Sequence, residues 1–316
     1  MRSEENLENR ECPIGHLSCF FVFLLVFCVY FSFFVAPTSG QTARIPTSSS
    51  TADWQTRSRV LSEALSNGNS EEKRSALAEI RNLQTEEASR LAVPALRDKD
   101  EIVRATAAAS IIFIPDNEAV ADLVPLLSDK AEFVRREVAY AIGEVGNPAA
   151  TAHLLKLLRS DKVLEVRTAA AMSLGKIGDA SAVPELVSLL KTKPVEDLEF
   201  LRRSAARSIG QIAQIIKTGK RRVLTPQNFM PEKYKDIPPD QSVELTKQYP
   251  QFAAAVPVLA NALKNADESD DTRREAAFAL GAIGDHSAVA ALKTQVNSSD
   301  PYLAEIVKEA LQKSQN

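Results

Sequence analysis

Histidines, cysteines and clustered carboxylates build most metal sites and acid–base catalysts, and this sequence holds few of them. Its histidines are His16, His153 and His286, and its cysteines are Cys12, Cys19 and Cys28. All three thiols precede residue 29, which excludes disulfide staples and Cys-based zinc sites from the rest of the chain. Three scattered histidines form no spaced zinc-ligand set. Asp267, Glu268, Asp270 and Asp271 are of the right type for calcium, but their spacing does not match an EF-hand loop, and they read as a solvated turn between helices. The Gly-x-x-Gly strings close helical patterns instead of opening a helix after a strand, so they cradle no phosphate. No Gly-x-Ser-x-Gly elbow is present. What does recur is an acidic residue six positions before an arginine: Asp98 and Arg104, Asp129 and Arg135, Asp161 and Arg167, Glu196 and Arg202, Asp267 and Arg273. A catalytic carboxylate–arginine site would be one differentiated place. The same pair in unit after unit reads as helix capping and an ion-pair ladder along a stack.

The elements that carry these pairs are copies of one unit. Val166-Arg167 runs through Leu174-Gly175-Lys176-Ile177-Gly178-Asp179. Val134-Arg135 runs in the same frame through Ile142-Gly143-Glu144-Val145-Gly146-Asn147, and Thr272-Arg273 through Leu280-Gly281-Ala282-Ile283-Gly284-Asp285. Leu201-Arg202 keeps the first half of the pattern, Val103-Arg104 keeps the frame without the glycines, and Arg74 opens a weaker copy. The arginines lie 30, 31, 32, 35 and 71 residues apart, the last interval being two units with an insertion. From each arginine, small and apolar residues recur at helical spacing. Glycine then permits a left-handed stop, and the following Asp or Asn can cap the next helix. That next helix carries a second apolar pattern, as in Ala182 to Leu190. Pro94, Pro125, Pro184 and Pro257 recur in these first helices, where a first-turn position is expected. Each unit is therefore helix A, turn, helix B, turn.

This pattern resembles HEAT repeats, specifically the short subclass named after phycobilisome-lyase HEAT-like proteins, over roughly residues 54–314 outside the insertion. The resemblance implies an all-α solenoid of about seven helix pairs with weak copies at both ends. The deoxyhypusine hydroxylase branch of HEAT-like proteins binds iron through His-Glu pairs. No His-Glu dipeptide occurs here, so that activity is not carried over, and no cofactor or metal is expected. No residue identifies a chromophore pocket for a bilin lyase.

The repeat breaks after Ile216. Residues 217–250 hold Lys217, Lys220, Arg221, Arg222, Pro226, Pro231, Pro238 and Pro239, interleaved with Phe229, Tyr234 and Tyr249, and a short helix is expected near residues 242–248. Long loops of this kind either cover a surface or carry function. Lys220, Arg221, Arg222, Phe229 and Tyr234 are the candidate partner-binding residues, against the alternative of a packed, solvated loop.

No Asp, Glu, Lys or Arg occurs from Cys12 to Ala43, and Leu17 to Val35 is rich in Phe, Leu and Val. This segment suits a bilayer. Two readings stand: an export signal cleaved after Gly40, or an uncleaved anchor. The organisation expected is a signal or anchor over 1–40, a polar linker over 41–53 and the solenoid over 54–316. Lys/Arg counts on the two sides do not set the orientation: Arg2 and Arg10 precede the segment, and Arg44, Arg57 and Arg59 follow it. The formal net charge is −3, no electrostatic footprint for nucleic acid, although Arg136, Arg203, Arg207 and Arg274 could form a local stripe on B helices. The expectation is a non-catalytic scaffold outside the cytoplasm, free or membrane-tethered through residues 17–35. It binds a protein partner through its concave B-helix surface or the 217–250 loop. The rivals are a lyase-like or oxidoreductase-like enzyme or enzyme accessory, and a membrane-anchored cytoplasmic regulator.

Overall fold

The computed structural model describes residues 48–221, 226, 229, 231 and 244–315, and these are mostly helical with no strand among them. Fifteen α-helices follow in chain order. They are α1 (Ser48–Asn67), α2 (Ser70–Leu83), α3 (Glu86–Ala92), α4 (Glu101–Ser110), α5 (Asp116–Leu123), α6 (Glu132–Val145), α7 (Thr151–Ser160) and α8 (Leu164–Ile177). After these come α9 (Val183–Lys191), α10 (Glu199–Thr218), α11 (Leu245–Gln248), α12 (Pro250–Lys264), α13 (Asp270–Ile283), α14 (Val289–Lys293) and α15 (Pro301–Gln315). Setting aside the short α11, they form seven A–B pairs, from α1–α2 to α14–α15. The all-α solenoid is therefore the observed architecture. Helix α1 begins at Ser48, inside the stretch read as linker. Among the described residues no helix is long and apolar enough to cross a membrane, and the 17–35 segment lies outside them.

The B helices α2, α4, α6, α8, α10, α13 and α15 stack on one another in that order, and the A helices cover one side. Across the insertion α10 packs on α13 and α9 on α12, so the stack continues unbroken. Small side chains let the B helices approach closely. A Cβ added at Gly143 would lie 2.7 Å from Ser173 Oγ, and one at Gly281 would lie 2.8 Å from Ala310 Cα. Three buried serines use this proximity. Ser110, Ser173 and Ser208 donate their hydroxyls to the carbonyls of Leu77, Ala139 and Ala171 on the preceding B helix, at 3.0, 2.7 and 2.9 Å. Each sits six residues after the repeat arginine, so the column is present in the sequence although the Arg/Gly/Asp pattern hides it.

The turns follow the expected chemistry. Gly146 and Gly178 take φ of +72° and +80° at the ends of α6 and α8. Asn147, Asp179 and Asp285 each accept the backbone N–H two residues ahead at 2.9 Å. The prolines differ from expectation. Pro184 does occupy a first turn. Pro94 and Pro125 instead follow α3 and α5 and open tighter turns over Val93–Arg97 and Val124–Ser128. Pro257 lies inside α12. A missing N–H and a bulky ring disturb the α-helical ladder inside a helix, and of these four prolines two open tighter turns, one starts an A helix and one lies within another.

Candidate functional site

The arginine–carboxylate ladder is real but shorter than its sequence pattern. Arg104 forks onto Asp129 with Nε and Nη2 both at 2.8 Å, and its Nη1 donates to the Asp98 carbonyl at 2.8 Å. Arg135 repeats the arrangement on Asp161 at 2.6 and 3.0 Å and on the Asp129 carbonyl at 2.9 Å. Each arginine thus ties its own B-helix entry to the entry of the next repeat. Asp98, Asp129 and Asp161 also accept the N–H two residues on, at 2.8 to 2.9 Å. Asp98 takes Lys73 at 2.6 Å as its cation, where Arg74 opens the weak repeat. Burial pushes the Asp129 and Asp161 carboxyls up, and the arginine hydrogen bond, the backbone N–H bond and the nearby positive charge together more than reverse this, leaving both below the ordinary value.

Four members of the expected ladder stand elsewhere. Among the described residues Arg167 reaches no carboxylate, and it donates instead to the Leu158 carbonyl at 2.9 Å. The chain between α9 and α10 is longer than that between α7 and α8, and its Glu196 is exposed. Asp267 is exposed, and the neighbouring Glu268 takes its place against Arg202, at 3.1 Å from Nε. The longer Glu side chain reaches inward from a turn whose helix cap is Ser269. Arg273 bonds Gln295 at 2.8 Å and Asp270 of its own helix, while Arg274 makes the cross-repeat pair with Asp300 at 2.6 Å.

The four arginines of the possible basic stripe are all paired. Arg136 bonds Glu137 at 3.1 Å, Arg203 bonds Asp271 at 2.6 Å, Arg207 bonds Glu275 at 2.7 Å, and Arg274 bonds both Asp271 and Asp300. Three of them also lie over aromatic rings: Arg136 over Phe133, Arg203 over Phe200 and Arg274 over Tyr302, at 5.0, 4.9 and 5.5 Å from the centroids. A face whose cations are already neutralised does not offer phosphates the counterion-releasing row that nucleic-acid binding needs.

Where the ladder breaks, the B-helix side opens into a cleft of 680 Å³. Helix α6 contributes Arg136, Glu137 and the half-buried Tyr140 to its wall, and α8 contributes Glu165 and Thr168. The lengthened entry to α10 closes it with Glu196, Asp197 and Phe200. Phe200 is 57% exposed, an unusual position for a large apolar ring. Burial raises the Tyr140 phenol above its ordinary pKa, so it remains a neutral hydroxyl. The sequence signal for this cleft is the 35-residue arginine interval, longer than its three predecessors.

The insertion is shorter than 217–250, because α10 continues to Thr218 and α11 begins at Leu245, the short helix expected near there. Arg221 lies against the end of α6, donating to the carbonyls of Glu144, Val145 and Gly146 at 3.1, 3.3 and 3.4 Å. Lys217 caps α13 in the same manner through the Ile283 carbonyl at 2.8 Å. Cations at helix C-termini meet the negative end of the dipole. The Lys220 amide bonds the Thr218 hydroxyl at 3.1 Å. Phe229 stands edge-on to Tyr302, centroids 5.3 Å apart, and is 53% exposed. Arg222 and Tyr234 lie outside the described residues.

Comparison with known families agrees with this architecture. A family profile described as HEAT repeats matches residues 58–139, 92–175, 120–210 and 245–314. The chain is a HEAT-repeat protein. The matches avoid the insertion, where the HEAT-repeat spacing is interrupted. No curated protein matches the sequence. Among solved structures, an engineered protein is similar at 21% identity and a TM-score of 0.52, covering 85% of this chain and 70% of its own. That likeness supports the solenoid fold. Human deoxyhypusine hydroxylase in complex with glycerol matches at 20% identity and a TM-score of 0.37, over 84% of this chain and 98% of its own. The CpcE–CpcF complex of phycocyanin lyase from Nostoc matches at 18% and 0.44, over 89% and 99%.

Proposed function

We propose that this HEAT-repeat array is a non-catalytic scaffold that binds a protein partner across its B-helix face. The observation that carries the reading is the cleft between α6, α8 and the entry to α10, with Phe200 exposed on its wall. Aromatic anchors beside polar groups are the usual composition of protein-binding surfaces. The recurring arginines and carboxylates of the same face fasten one repeat to the next, a structural use that leaves no single differentiated acid–base pair in the ladder. Phe229 and Tyr302 extend the aromatic surface toward the last repeat and make the insertion a second contact region.

The uncharged stretch from Cys12 to Ala43 supports an array that is exported or membrane-tethered. A C-terminal fusion to a reporter active only outside the cytoplasm tests that placement, and activity only of a cytoplasmic reporter reverses it.

Photo-crosslinking from the full chain tests the binding face. A crosslinking side chain placed at Thr168 or Arg207, on B helices, is expected to trap one protein species. The same group at Lys156, exposed on the A helix α7, traps none. Equal trapping from both sides, or none from the B helices, overturns the reading.

A further inference from the structure

We propose that the cleft between α6, α8 and the entry to α10 takes an extended basic segment of the partner protein, seating a Lys or Arg side chain among Glu165, Glu196 and Asp197. This rests on the reading of the B-helix face as a protein-binding surface and names the chemistry of what binds there.

The argument begins with charge. The cleft is lined by four carboxylates, Glu137, Glu165, Glu196 and Asp197, and one cation, Arg136. Arg136 is already engaged: it bonds Glu137 and lies over Phe133. Among the described residues, no Lys or Arg stands within ion-pair distance of Glu165, Glu196 or Asp197. This sets the cleft apart from the rest of the ladder. Asp129, Asp161, Glu268 and Asp300 occupy comparable places before B helices, and each holds an arginine. At the fourth and fifth repeats the register lengthens, Arg167 turns away to a carbonyl, and the carboxylates are left facing the opening. An arriving cation would therefore complete a pairing that the other repeats make internally.

Shape and chemistry then select the kind of cation. A volume of 680 Å³ is far more than a lone ammonium fills and fits several residues of extended chain. Phe200 offers a ring against which a Lys or Arg stem can lie, beside the Arg203 guanidinium already over it. The neutral Tyr140 hydroxyl and the Thr168 side chain provide hydrogen-bonding groups for a peptide backbone. Phosphate-bearing ligands would meet uncompensated carboxylates and be repelled.

Fluorescence polarisation with the full chain tests the proposal. The probes are fluorescein-labelled nine-residue Gly/Ser peptides with Lys-Arg-Lys, Glu-Asp-Glu or Phe-Leu-Phe at the centre. The basic peptide is expected to bind, and more weakly as salt rises. Glu196→Gln with Asp197→Asn should weaken it by about tenfold or more, and Phe200→Ala should also weaken it. Glu87→Gln with Glu101→Gln removes the same charge from exposed positions on α3 and α4 and should leave binding unchanged. All substituted residues are exposed, and unchanged circular dichroism and melting confirm that the variants fold. Absence of binding, equal binding of the acidic or apolar peptide, or equal losses in the two charge-matched variants overturns the proposal. Crosslinking from Thr168 that persists while the basic peptide fails to bind removes this inference alone. Loss of B-face crosslinking removes the scaffold reading itself.

Discussion

Arg202 and Glu268 form a buried ion pair across 66 residues of sequence, closing the repeat stack over the insertion. The Arg202 guanidinium also donates to the Leu189 and Thr192 carbonyls, at 2.8 and 2.7 Å, so one side chain ties the end of α9 to the entry of α13. Removing one partner strands the other in a site where both side chains are 3% exposed. Arg202→Met is expected to cost about 3–5 kcal/mol in urea unfolding, and Arg202→Met with Glu268→Leu to cost less than the single change. A double variant no more stable than Arg202→Met would show that the pair is not the fastening described.

The glycines of the B helices make a graded prediction. A Cβ at Gly175 meets Ser208 Oγ and Gln211 Oε1, at 2.5 and 2.6 Å, which can rotate, and one fixed atom, Ser208 Cβ, at 2.8 Å. A Cβ at Gly281 meets the Cβ and Cα of Ala310 at 2.7 and 2.8 Å, and backbone has nowhere to go. Both alanine substitutions overpack the stack, at about 1–3 kcal/mol. Gly281→Ala is expected to lower the melting temperature more than Gly175→Ala, and the reverse order would contradict the packing described.

Much of this organisation is legible in the residues. The arginine interval, the closing glycines and the Asn147, Asp179 and Asp285 caps all prefigure the elements that form. The exact ion pairs do not, because a column in sequence fixes a backbone position and not the reach of a side chain. Glu268 reaches Arg202 where the better-aligned Asp267 faces water, and Arg274 displaces Arg273 from the cross-repeat pair. The insertion residues were legible as a break but not as fastenings. Nothing local in Arg221 specifies that it folds back on α6, some 75 positions earlier. The cleft was signalled only by three or so extra residues before Arg202, and its chemistry required knowing which helices those residues stand against.

Arg221 gives a prediction about the insertion. Its bonds to the α6 carbonyls are exposed or part-buried, none fully buried, so Arg221→Ala should change global stability little, by less than about 1 kcal/mol. It should instead loosen the segment that carries Phe229. Chymotryptic cleavage at Phe229 is expected to accelerate in the variant while the melting temperature holds. Equal cleavage rates would mean that Arg221 does not anchor the loop.

The ladder also predicts the response to acid. Asp129 and Asp161 have carboxyls held below the ordinary value: burial opposes the charged form, and the bonds and charge of Arg104 and Arg135, with a backbone N–H on each carboxylate, together outweigh it. The unfolded chain, with Asp near 3.9, then binds more protons than the folded one at acidic pH. Their stabilisation is complete above the unfolded value and is lost as pH falls through the lower, folded value. The Asp129→Asn, Asp161→Asn variant cannot lose what it no longer has. Its urea midpoint should fall less steeply than that of the native protein as pH drops below about 4. Parallel slopes would place the acid sensitivity in other carboxylates and leave the ladder without the charge state assigned to it.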